Sequence, residues 1–262
     1  CVGNIYIGGT GNSPSCLLVN SILKKFKYKS TFIKKFYHDQ IDEQELLKKN
    51  GNLICKTNRL DAINTAKLSR FKFAICDDGL QDKKIDYDLK IACFNSDTFI
   101  GNGFLLPAGP LRETLDNLIN YDVAIINGNG EKIFKLKNYL KKFNKNLKIF
   151  QGKYVLEKPS KKIKHKKFIA FSGIGNHETF LKTLKKNNIN IIKNYKFPDH
   201  YEYKNIQIKS IKKEAKKYNC GIITTEKDFL RLNNIHNRNI VFFKTSIEIN
   251  KKSQFENLIK NI

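Results

Sequence analysis

The stretch VGNIYIGGTGNSPS, residues 2–15, decides the fold of this chain. A short apolar run is followed by the glycine-rich turn GGTG at 8–11, and residues 16–26, CLLVNSILKKF, have apolar side chains at helical spacing. Strand, glycine turn and helix in this order are typical of phosphate sites, because glycines let backbone N–H groups and the helix N-terminus point at the anion. Such turns also occur for structural reasons alone, so other stretches have to support the interpretation.

The two residues after the turn depart from the usual phosphate loop. In that loop Lys and then Ser or Thr follow the glycines. Here the positions hold Asn12 and Ser13. The turn is therefore either a nucleotide site without its lysine or a turn that never bound a nucleotide.

Strand-length apolar runs alternate with amphipathic stretches through the first part of the chain. Strands are predicted at 5–7, 30–33, 52–57, 73–79, 89–94 and 122–128, and helices at 42–49, 60–68 and 115–119. Continuous apolar strands indicate a parallel sheet that is covered on both faces. The carboxyl ends of such strands lie along one edge, where ligand chemistry is expected.

A second alternation follows a Lys-rich connector, PSKKIKHKK at 159–167. Its strands are predicted at 168–172, 189–195, 220–224 and 239–244, and its helices at 178–186, 206–218 and the C-terminus. The boundary falls near 150–165. We therefore predict the α/β class with two domains and a cleft between them: a nucleotide-binding domain over 1–150 and a smaller α/β domain over 151–262.

Composition narrows the functional classes. Lys and Arg number 49 against 24 Asp and Glu, a formal charge of +25 that attracts phosphates, nucleic acid or an anionic membrane. Lys, Asn and Ile are frequent throughout, so a compositional drift accounts for most lysines. No nucleic-acid module is recognisable, and nucleic-acid binding is therefore ranked low. The six cysteines form no CxxC pair and fit a reducing cytoplasm, and no apolar run approaches the roughly 20 residues of a membrane span.

Adjacent carboxylates end the predicted strand at 73–79. In CDDGLQD, residues 76–82, Asp77 and Asp78 lie at the sheet edge where the glycine turn is also expected. A carboxylate there can bind Mg²⁺ or accept a proton from an attacking hydroxyl. One of the two is expected to cap the following turn, which leaves the other for function.

Three further polar stretches are candidates for the site. Residues 101–113, GNGFLLPAGPLRE, predict a rigid irregular loop that ends in Arg112 and Glu113. FPDHYEY at 197–203 places Asp199 beside His200. TTEKDFLRL at 224–232 ends a strand with hydroxyls and charges. Each has a structural alternative: a turn without a ligand, a solvent-exposed histidine and a helix capping box.

Taken in order, the motifs resemble those of the tetraacyldisaccharide 4'-kinase family of lipid A biosynthesis. The resemblance rests on VGNIYIGGTGNSP, DDGLQ, GNGFLLPAGPLRE, AFSGIGNHETF, FPDHYEY and TTEKDFLRL, which run from residue 2 to about residue 232. The third of these is long and specific. It makes a chance match very improbable.

The resemblance implies a kinase of the P-loop NTPase type that moves the γ-phosphoryl group of ATP to the 4'-hydroxyl of a tetraacyldisaccharide 1-phosphate. In this reading the cofactors are ATP and Mg²⁺, Asp77 is the base, and His200 is its partner across the cleft, so that transfer depends on domain closure. Asp78 and Arg112 are expected to bind substrate. The nucleotide-binding residues are Gly8, Gly9, Thr10, Gly11, Asn12 and Ser13, with the Ser13 hydroxyl on Mg²⁺.

The family also implies work at a membrane. We expect a membrane-associating segment upstream of Cys1, peripheral attachment to the cytoplasmic face of the inner membrane, and contact with anionic lipid through Lys and Arg. The partners are the lipid disaccharide and the membrane surface, with no nucleic acid and no inferable protein partner.

Departures from the family pattern bear on activity. Asn12 stands where the family has Lys, and by analogy with losing one preorganised donor we expect a penalty of at least about 10²–10³-fold in turnover. Three outcomes follow: a neighbouring basic side chain replaces the lysine, the enzyme is slow but sufficient, or the chain is an impaired homologue that binds nucleotide or lipid without efficient transfer. His177 for Pro and Tyr201 for a second His are milder changes.

Overall fold

The computed structural model describes residues 1–128, 130–159, 166–232 and 239–262. The chain forms two compact units. Unit 1 comprises Cys1–Phe36, Leu47–Tyr154 and Ile247–Ile262. Unit 2 comprises Tyr37–Leu46 and Val155–Ser246.

Parallel strands form the centre of unit 1. They are β1 (Val2–Gly3), β2 (Ser30–Lys35), β3 (Asn52–Lys56), β4 (Phe73–Cys76), β5 (Ile91–Asn95), β6 (Val123–Asn127) and β7 (Lys148–Pro159), of which the last residues belong to unit 2. They pair in the orders β1-β5-β6-β7 and β3-β2-β4. Val2 links the two sets, because it forms a parallel bridge with Asp77, just beyond β4.

Helices cover both faces of the unit 1 strands. They are α1 (Asn12–Lys25), α2 (Ile41–Asn50), which begins in unit 2, α3 (Arg59–Leu68), α4 (Glu131–Phe143) and the C-terminal α8 (Lys252–Lys260). Cys16, Val19 and Ile22 of α1 pack with one face of β5 and β6, and Leu136 and Leu140 of α4 pack with the other. Each large aliphatic side chain buried in this way contributes roughly 1.5–3 kcal/mol. The expected parallel sheet with two covered faces is confirmed.

Unit 2 repeats the α/β arrangement on a smaller scale. Its elements are β8 (Lys167–Ser172), α5 (His177–Lys186), β9 (Asn190–Lys196), α6 (Asn205–Lys217), β10 (Gly221–Thr225), α7 (Glu226–Arg231) and β11 (Ile240–Ile249), which ends in unit 1. The strands are parallel in the order β11-β10-β8-β9. Ile208, Ile211 and Ala215 of α6 lie on one helical face and are buried in the core of this unit. The predicted α/β class is confirmed.

The unit boundaries differ from the predicted division into 1–150 and 151–262 in two segments. Residues 247–262 belong to unit 1, because Phe255 and Ile259 enter its core and the rings of Phe150 and Phe255 meet edge to face at 5.0 Å. Residues 37–46 belong to unit 2 through side chains described below. A single boundary in the sequence cannot describe these units, because each unit is built from segments that are not contiguous in the chain.

Some elements also differ in detail. The first strand is Val2–Gly3 rather than 5–7, and in the latter stretch Tyr6 forms only an isolated bridge with Leu111. Residues 115–120 form a 3₁₀ helix. Residues 160–165 of the Lys-rich connector lie outside the described residues. Across the described ranges, every helix falls short of the length and apolar character that a bilayer crossing requires.

Candidate active site

The glycine turn adopts a conformation that requires glycine. Gly8, Gly9 and Gly11 all have positive φ, at 71°, 57° and 99°. A Cβ on Gly11 would also lie 2.5 Å from the Tyr154 hydroxyl and 2.6 Å from Nδ2 of Asn127. Gly11 is the N-cap of α1 and offers no side chain to the first helical N–H groups. These donors are therefore available to an anion.

Polar side chains hold the turn in place. Asn4 donates Nδ2–H to the Thr10 hydroxyl at 2.8 Å, and Thr10 donates to Oδ1 of Asn12 at 3.2 Å. Asn127, at the end of β6, donates to the Thr10 carbonyl at 2.7 Å. Ser13 follows in the first turn of α1 and is buried. The turn is thus preorganised, with Thr10 bound from the ends of β1 and β6, the two strands that flank β5.

Asp77 lies just after β4 in a buried ion pair with Lys34. Lys34 Nζ is 2.9 Å from Asp77 Oδ2, and the two side chains are 2% and 1% exposed. Asp77 N donates to the Ile33 carbonyl at 2.9 Å, which places the end of β4 beside the end of β2. Cys16 donates its thiol to Asp77 Oδ1 at 3.6 Å. Asp77 therefore joins the end of β2 to the first turns of α1.

Asp78 reaches the glycine turn instead. It has a left-handed backbone, with φ at 56°, and its side chain accepts from Asn12 Nδ2 at 3.4 Å. One guanidinium nitrogen of Arg112 contacts both Asp78 oxygens, at 2.7 and 2.9 Å. Arg59 fastens the backbone at this point by donating to the Asp78 carbonyl at 2.9 Å. Of the two carboxylates, Asp78 is the one adjacent to both predicted binding elements.

The loop at 101–113 runs beside the glycine turn. Ile7 N donates to the Pro110 carbonyl at 2.9 Å, and Arg112 N donates to the Ile5 carbonyl at 2.8 Å. Asn102 makes the loop rigid: its Nδ2 donates to the Ala108 carbonyl at 3.0 Å and its Oδ1 accepts from Phe104 N at 3.2 Å. The tip leaves three consecutive apolar side chains in solvent, Phe104, Leu105 and Leu106, at 63%, 42% and 51% exposure.

In unit 2 His200 contacts a carboxylate that the sequence analysis did not single out. His200 Nδ1 is 3.4 Å from Oδ1 of Asp42, which lies in the first turn of α2 and is buried. Arg231 donates to Asp42 Oδ2 at 2.6 Å and to the Gly173 carbonyl at 2.6 Å. Both oxygens of Asp42 are thus held, one by an imidazole and one by a guanidinium.

The two partners shift each other's protonation. The hydrogen bond to Asp42 raises the pKa of His200 above its ordinary 6.5, against the opposing effect of burial. Burial acts to raise the pKa of Asp42, but the His200 hydrogen bond and the charges of Arg231 and Lys227 outweigh it and hold this pKa below 3.8. At neutral pH the pair is therefore a carboxylate beside an imidazole that readily takes up a proton.

Other polar residues in unit 2 are structural. Asp228 accepts from Gly173 N at 2.9 Å, from the Tyr203 hydroxyl at 2.7 Å and from Thr225 at 2.6 Å, and burial raises its pKa. His177 is buried and bonded at both ring nitrogens, to Ser172 at 2.6 Å and Asn194 at 3.1 Å. The TTEKD motif is therefore, in the main, a strand end and helix cap that orients Arg231.

The structure brings together some of the sequence-predicted residues and leaves the others apart. Within unit 1 the turn at 8–13, Asp78 and Arg112 are joined by direct contacts, whereas Asp77 binds Lys34. His200 belongs to unit 2, so its predicted pairing with Asp77 links two units and stays a prediction.

Lys34 and Asp42 are not among the site residues predicted from the sequence. Lys34 lies among many lysines, and Asp42 had the appearance of an acidic residue in a helix's first turn. Only an unusual charge at the end of an apolar strand, STFIKK, distinguishes Lys34 in the sequence.

Unit 1 thus has the features of one class of protein: α/β phosphate-binding proteins whose glycine turn precedes a helix beside carboxylates at parallel strand ends. Three comparisons with known proteins narrow this class. Residues 37–262 match the family described as tetraacyldisaccharide-1-P 4'-kinase, LpxK.

Relatives and a solved structure agree with that match. A tetraacyldisaccharide 4'-kinase of Pelagibacter ubique is 46% identical over 99% of this chain and 83% of its own length. That of Rickettsia peacockii is 32% identical over 95% of this chain and 81% of its own. The crystal structure of LpxK from Aquifex aeolicus in complex with ATP has a TM-score of 0.73 at 21% identity, covers 99% of this chain and 86% of its own, and shares the fold. The chain belongs to the tetraacyldisaccharide 4'-kinase family.

Proposed function

We propose that this protein transfers the γ-phosphoryl group of ATP to the 4'-hydroxyl of a tetraacyldisaccharide 1-phosphate in lipid A biosynthesis. The observation that carries the proposal is membership of the family together with a preorganised glycine turn bound to Asp78 and, through it, to Arg112. Phosphoryl transfer requires mainly positioning and charge neutralisation. The site offers groups for both.

The nucleotide binds at the turn. Backbone N–H groups of residues 8–13 surround the β-phosphate, and the α1 N-terminus adds a favourable partial charge. The Ser13 hydroxyl and the carboxylates of Asp77 and Asp78 are oxygen ligands of the kind that Mg²⁺ prefers, and Mg²⁺ is commonly held by one or two carboxylates plus phosphates. Among the described residues no group of three His, Cys, Asp or Glu side chains is arranged to hold a metal ion. Mg²⁺ would therefore be held by one or two of these oxygen ligands together with the phosphates, whose charge it would neutralise.

Proton transfer is assigned to Asp42 and His200. Asp42 accepts the proton of the attacking hydroxyl, and His200 shares the proton because its Nδ1 lies 3.4 Å from the carboxylate. The Lys34 ammonium that binds Asp77 is itself a donor and has no acceptor site, so it cannot take a proton onward. For that reason the role of base moves from the predicted Asp77 to Asp42, and Asp77 serves the nucleotide side.

The lipid substrate is met at a membrane surface. The formal charge of +25 attracts anionic lipid, and Phe104, Leu105 and Leu106 offer an apolar tip on a rigid loop next to Arg112. Attachment is peripheral, at the cytoplasmic face of the inner membrane. Sedimentation with anionic vesicles at low and high salt tests this, with Phe104→Ser as the variant. Binding that is independent of both salt and this side chain would contradict it.

The kinase assay is the direct test. The protein is incubated with Mg-ATP and tetraacyldisaccharide 1-phosphate, and the 4'-phosphorylated product is detected by mass. Product formation above a Gly11→Ala control supports the proposal. ATP binding without product, under conditions where a family member is active, would instead favour the impaired homologue to which Asn12 points.

A further inference from the structure

The glycine turn lacks the lysine that follows the glycines in the usual phosphate loop, because Asn12 occupies that position. Asn12 is also occupied within the turn, since its Oδ1 accepts from Thr10 at 3.2 Å and its Nδ2 donates to Asp78 at 3.4 Å. An amide has a shorter reach than a lysine and brings no charge. If the protein transfers phosphate, a cation from elsewhere is needed at the β- and γ-phosphates.

Lys34 is a lysine in an unusual place. Long charged side chains are almost never fully buried unless paired, yet Lys34 is 2% exposed at the end of β2, in a chain whose other ammonium groups lie mostly at the surface. It contacts a carboxylate that is equally buried, Asp77 Oδ2 at 2.9 Å. A buried pair of this kind adds little stability over an apolar pair of similar volume, which indicates another reason for keeping it.

The Lys34–Asp77 pair lies close to the first turns of α1. Asp77 is fixed beside β2 by its backbone bond to Ile33, and its second oxygen accepts from Cys16, one helical turn after Asn12. One carboxylate therefore separates the Lys34 ammonium from the first turns of α1. The ammonium lies at the carboxyl edge of the parallel strands, where this class of fold binds phosphate.

We propose that Lys34 is the phosphate-binding cation of this kinase and replaces, from the neighbouring strand β2, the lysine that the turn lacks at Asn12. The inference rests on the proposed function and deepens it. Bound nucleotide shares the ammonium with Asp77: the flexible four-carbon stem lets Nζ contact a terminal phosphate oxygen while Asp77 remains within reach. Lys34 then performs the charge neutralisation, and Asn12 has only a structural part in the turn.

An affinity label on the unmodified protein tests this first. An acyl-phosphate derivative of ATP acylates a lysine amine close to its terminal phosphate: the amine attacks the acyl carbon, an amide forms, and ATP leaves. The modified residue is identified by peptide mass spectrometry, with excess ATP as competitor. Labelling of Lys34 that ATP suppresses is the expected result. ATP-suppressible labelling of a different lysine, or none at Lys34, overturns the proposal.

A mutant cycle supplies the second test. Lys34→Met should lower kcat/KM for ATP about 10²–10³-fold, and Asn12→Lys should restore it to within about tenfold in the double variant. The gain in kcat/KM from Asn12→Lys should be larger in the Lys34→Met background than in the natural one. The matched control is Lys49→Met, which removes an exposed ammonium from α2. Equal losses in both backgrounds would mean that Lys34 only balances Asp77, which overturns the proposal.

Thermal unfolding and ATP binding separate the possible causes of a lost activity. Lys34→Met leaves Asp77 without its ammonium, so thermal unfolding is recorded for every variant, and if this variant does not fold the label alone decides. If the natural protein and Asn12→Lys both bind ATP but make no product, the proposed kinase function fails as a whole. If the natural protein is active and Lys34→Met is equally active, only the inference about Lys34 fails.

Discussion

Two buried aspartates in the two units have opposite surroundings. In unit 1 Asp77 is paired with the Lys34 ammonium at 2.9 Å, a partner that is always a donor at neutral pH. In unit 2 Asp42 is held by Arg231 and by His200, and its hydrogen bond raises the pKa of this imidazole above the ordinary 6.5. The difference teaches that two equally buried aspartates can have partners of different acid–base behaviour. Only the partner of Asp42 can exchange a proton with its carboxylate, which is why the proton transfer is proposed there.

The largest effect is expected at Asp42. Asp42→Asn should lower kcat about 10³-fold with little change in KM for ATP, because it removes the proton acceptor and leaves the glycine turn intact. Steady-state kinetics measure this. An unfolding curve shows whether the variant still folds when Arg231 has lost the charge of its carboxylate partner. The control is Glu43→Gln, the neighbouring carboxylate, which pairs with Lys227 at 2.6 Å and should cost less than about threefold. Equal losses at both positions would remove Asp42 from the chemistry.

His200 sharpens the comparison through pH. His200→Gln should lower kcat about 10²-fold and abolish the rise of kcat as the pH passes through the imidazole pKa. In Asp42→Asn the same pKa, followed by NMR of the ring, should fall toward the ordinary 6.5, because the hydrogen bond that raises it is gone. An unchanged pKa in that variant would show that Asp42 does not control His200.

The raised pKa of His200 also predicts how the free energy of unfolding depends on pH. The folded pKa of His200 is raised, so the charged imidazole adds stability that is fully present below pH 6.5 and is lost as the pH rises through the folded pKa. The unfolding free energies of the natural protein and His200→Gln should therefore differ most below pH 6.5 and converge above the folded pKa. Denaturant unfolding at several pH values measures this. A gap that widens with increasing pH would contradict the assignment.

The next effect concerns the rigidity of the unit 1 turn. Gly11→Ala should lower the free energy of unfolding by about 2 kcal/mol and weaken ATP binding, because the new methyl group meets Tyr154 and Asn127 at a φ of 99°. Gly103→Ala is the control: its φ is 81°, but the nearest atom to the new Cβ, Cδ1 of Ile100, is 3.8 Å away, so only backbone strain of about 1 kcal/mol is expected. Similar losses in both would indicate strain without a close approach.

The smallest effect is expected at Arg112. Its pair with Asp78 is about 30% exposed on both sides, so Arg112→Ala should change stability by less than about 1 kcal/mol. The KM for the lipid substrate should rise about tenfold, since a charged hydrogen bond to a phosphate is lost. Lys132→Ala, which breaks an exposed pair with Asp97, provides the control for charge removal alone. A rise only in the KM for ATP would move Arg112 to the nucleotide.

Much of this molecule follows from local pattern. The glycine turn before α1, the parallel strands and the α/β class are determined by the sequence, because apolar periodicity and glycine's freedom at positive φ act over a few residues. The sequence also predicted Asp78 and Arg112 as site residues, and the fold brings these two side chains into contact at 2.7 Å. Family membership is also determined by these motifs.

Tertiary structure alone decided the partners of the charged residues. Asp42 meets His200 and Arg231 over separations of 158 and 189 residues, which no periodicity predicts. In the sequence Lys34 is one lysine among many, and only the fold places it at the end of β2 beside Asp77. Residues 247–262 belong to unit 1 because the ring of Phe255 packs against the ring of Phe150. The physical reason is the same in each case: a charge or a ring takes its role from what is packed against it, and that packing is a property of the folded chain.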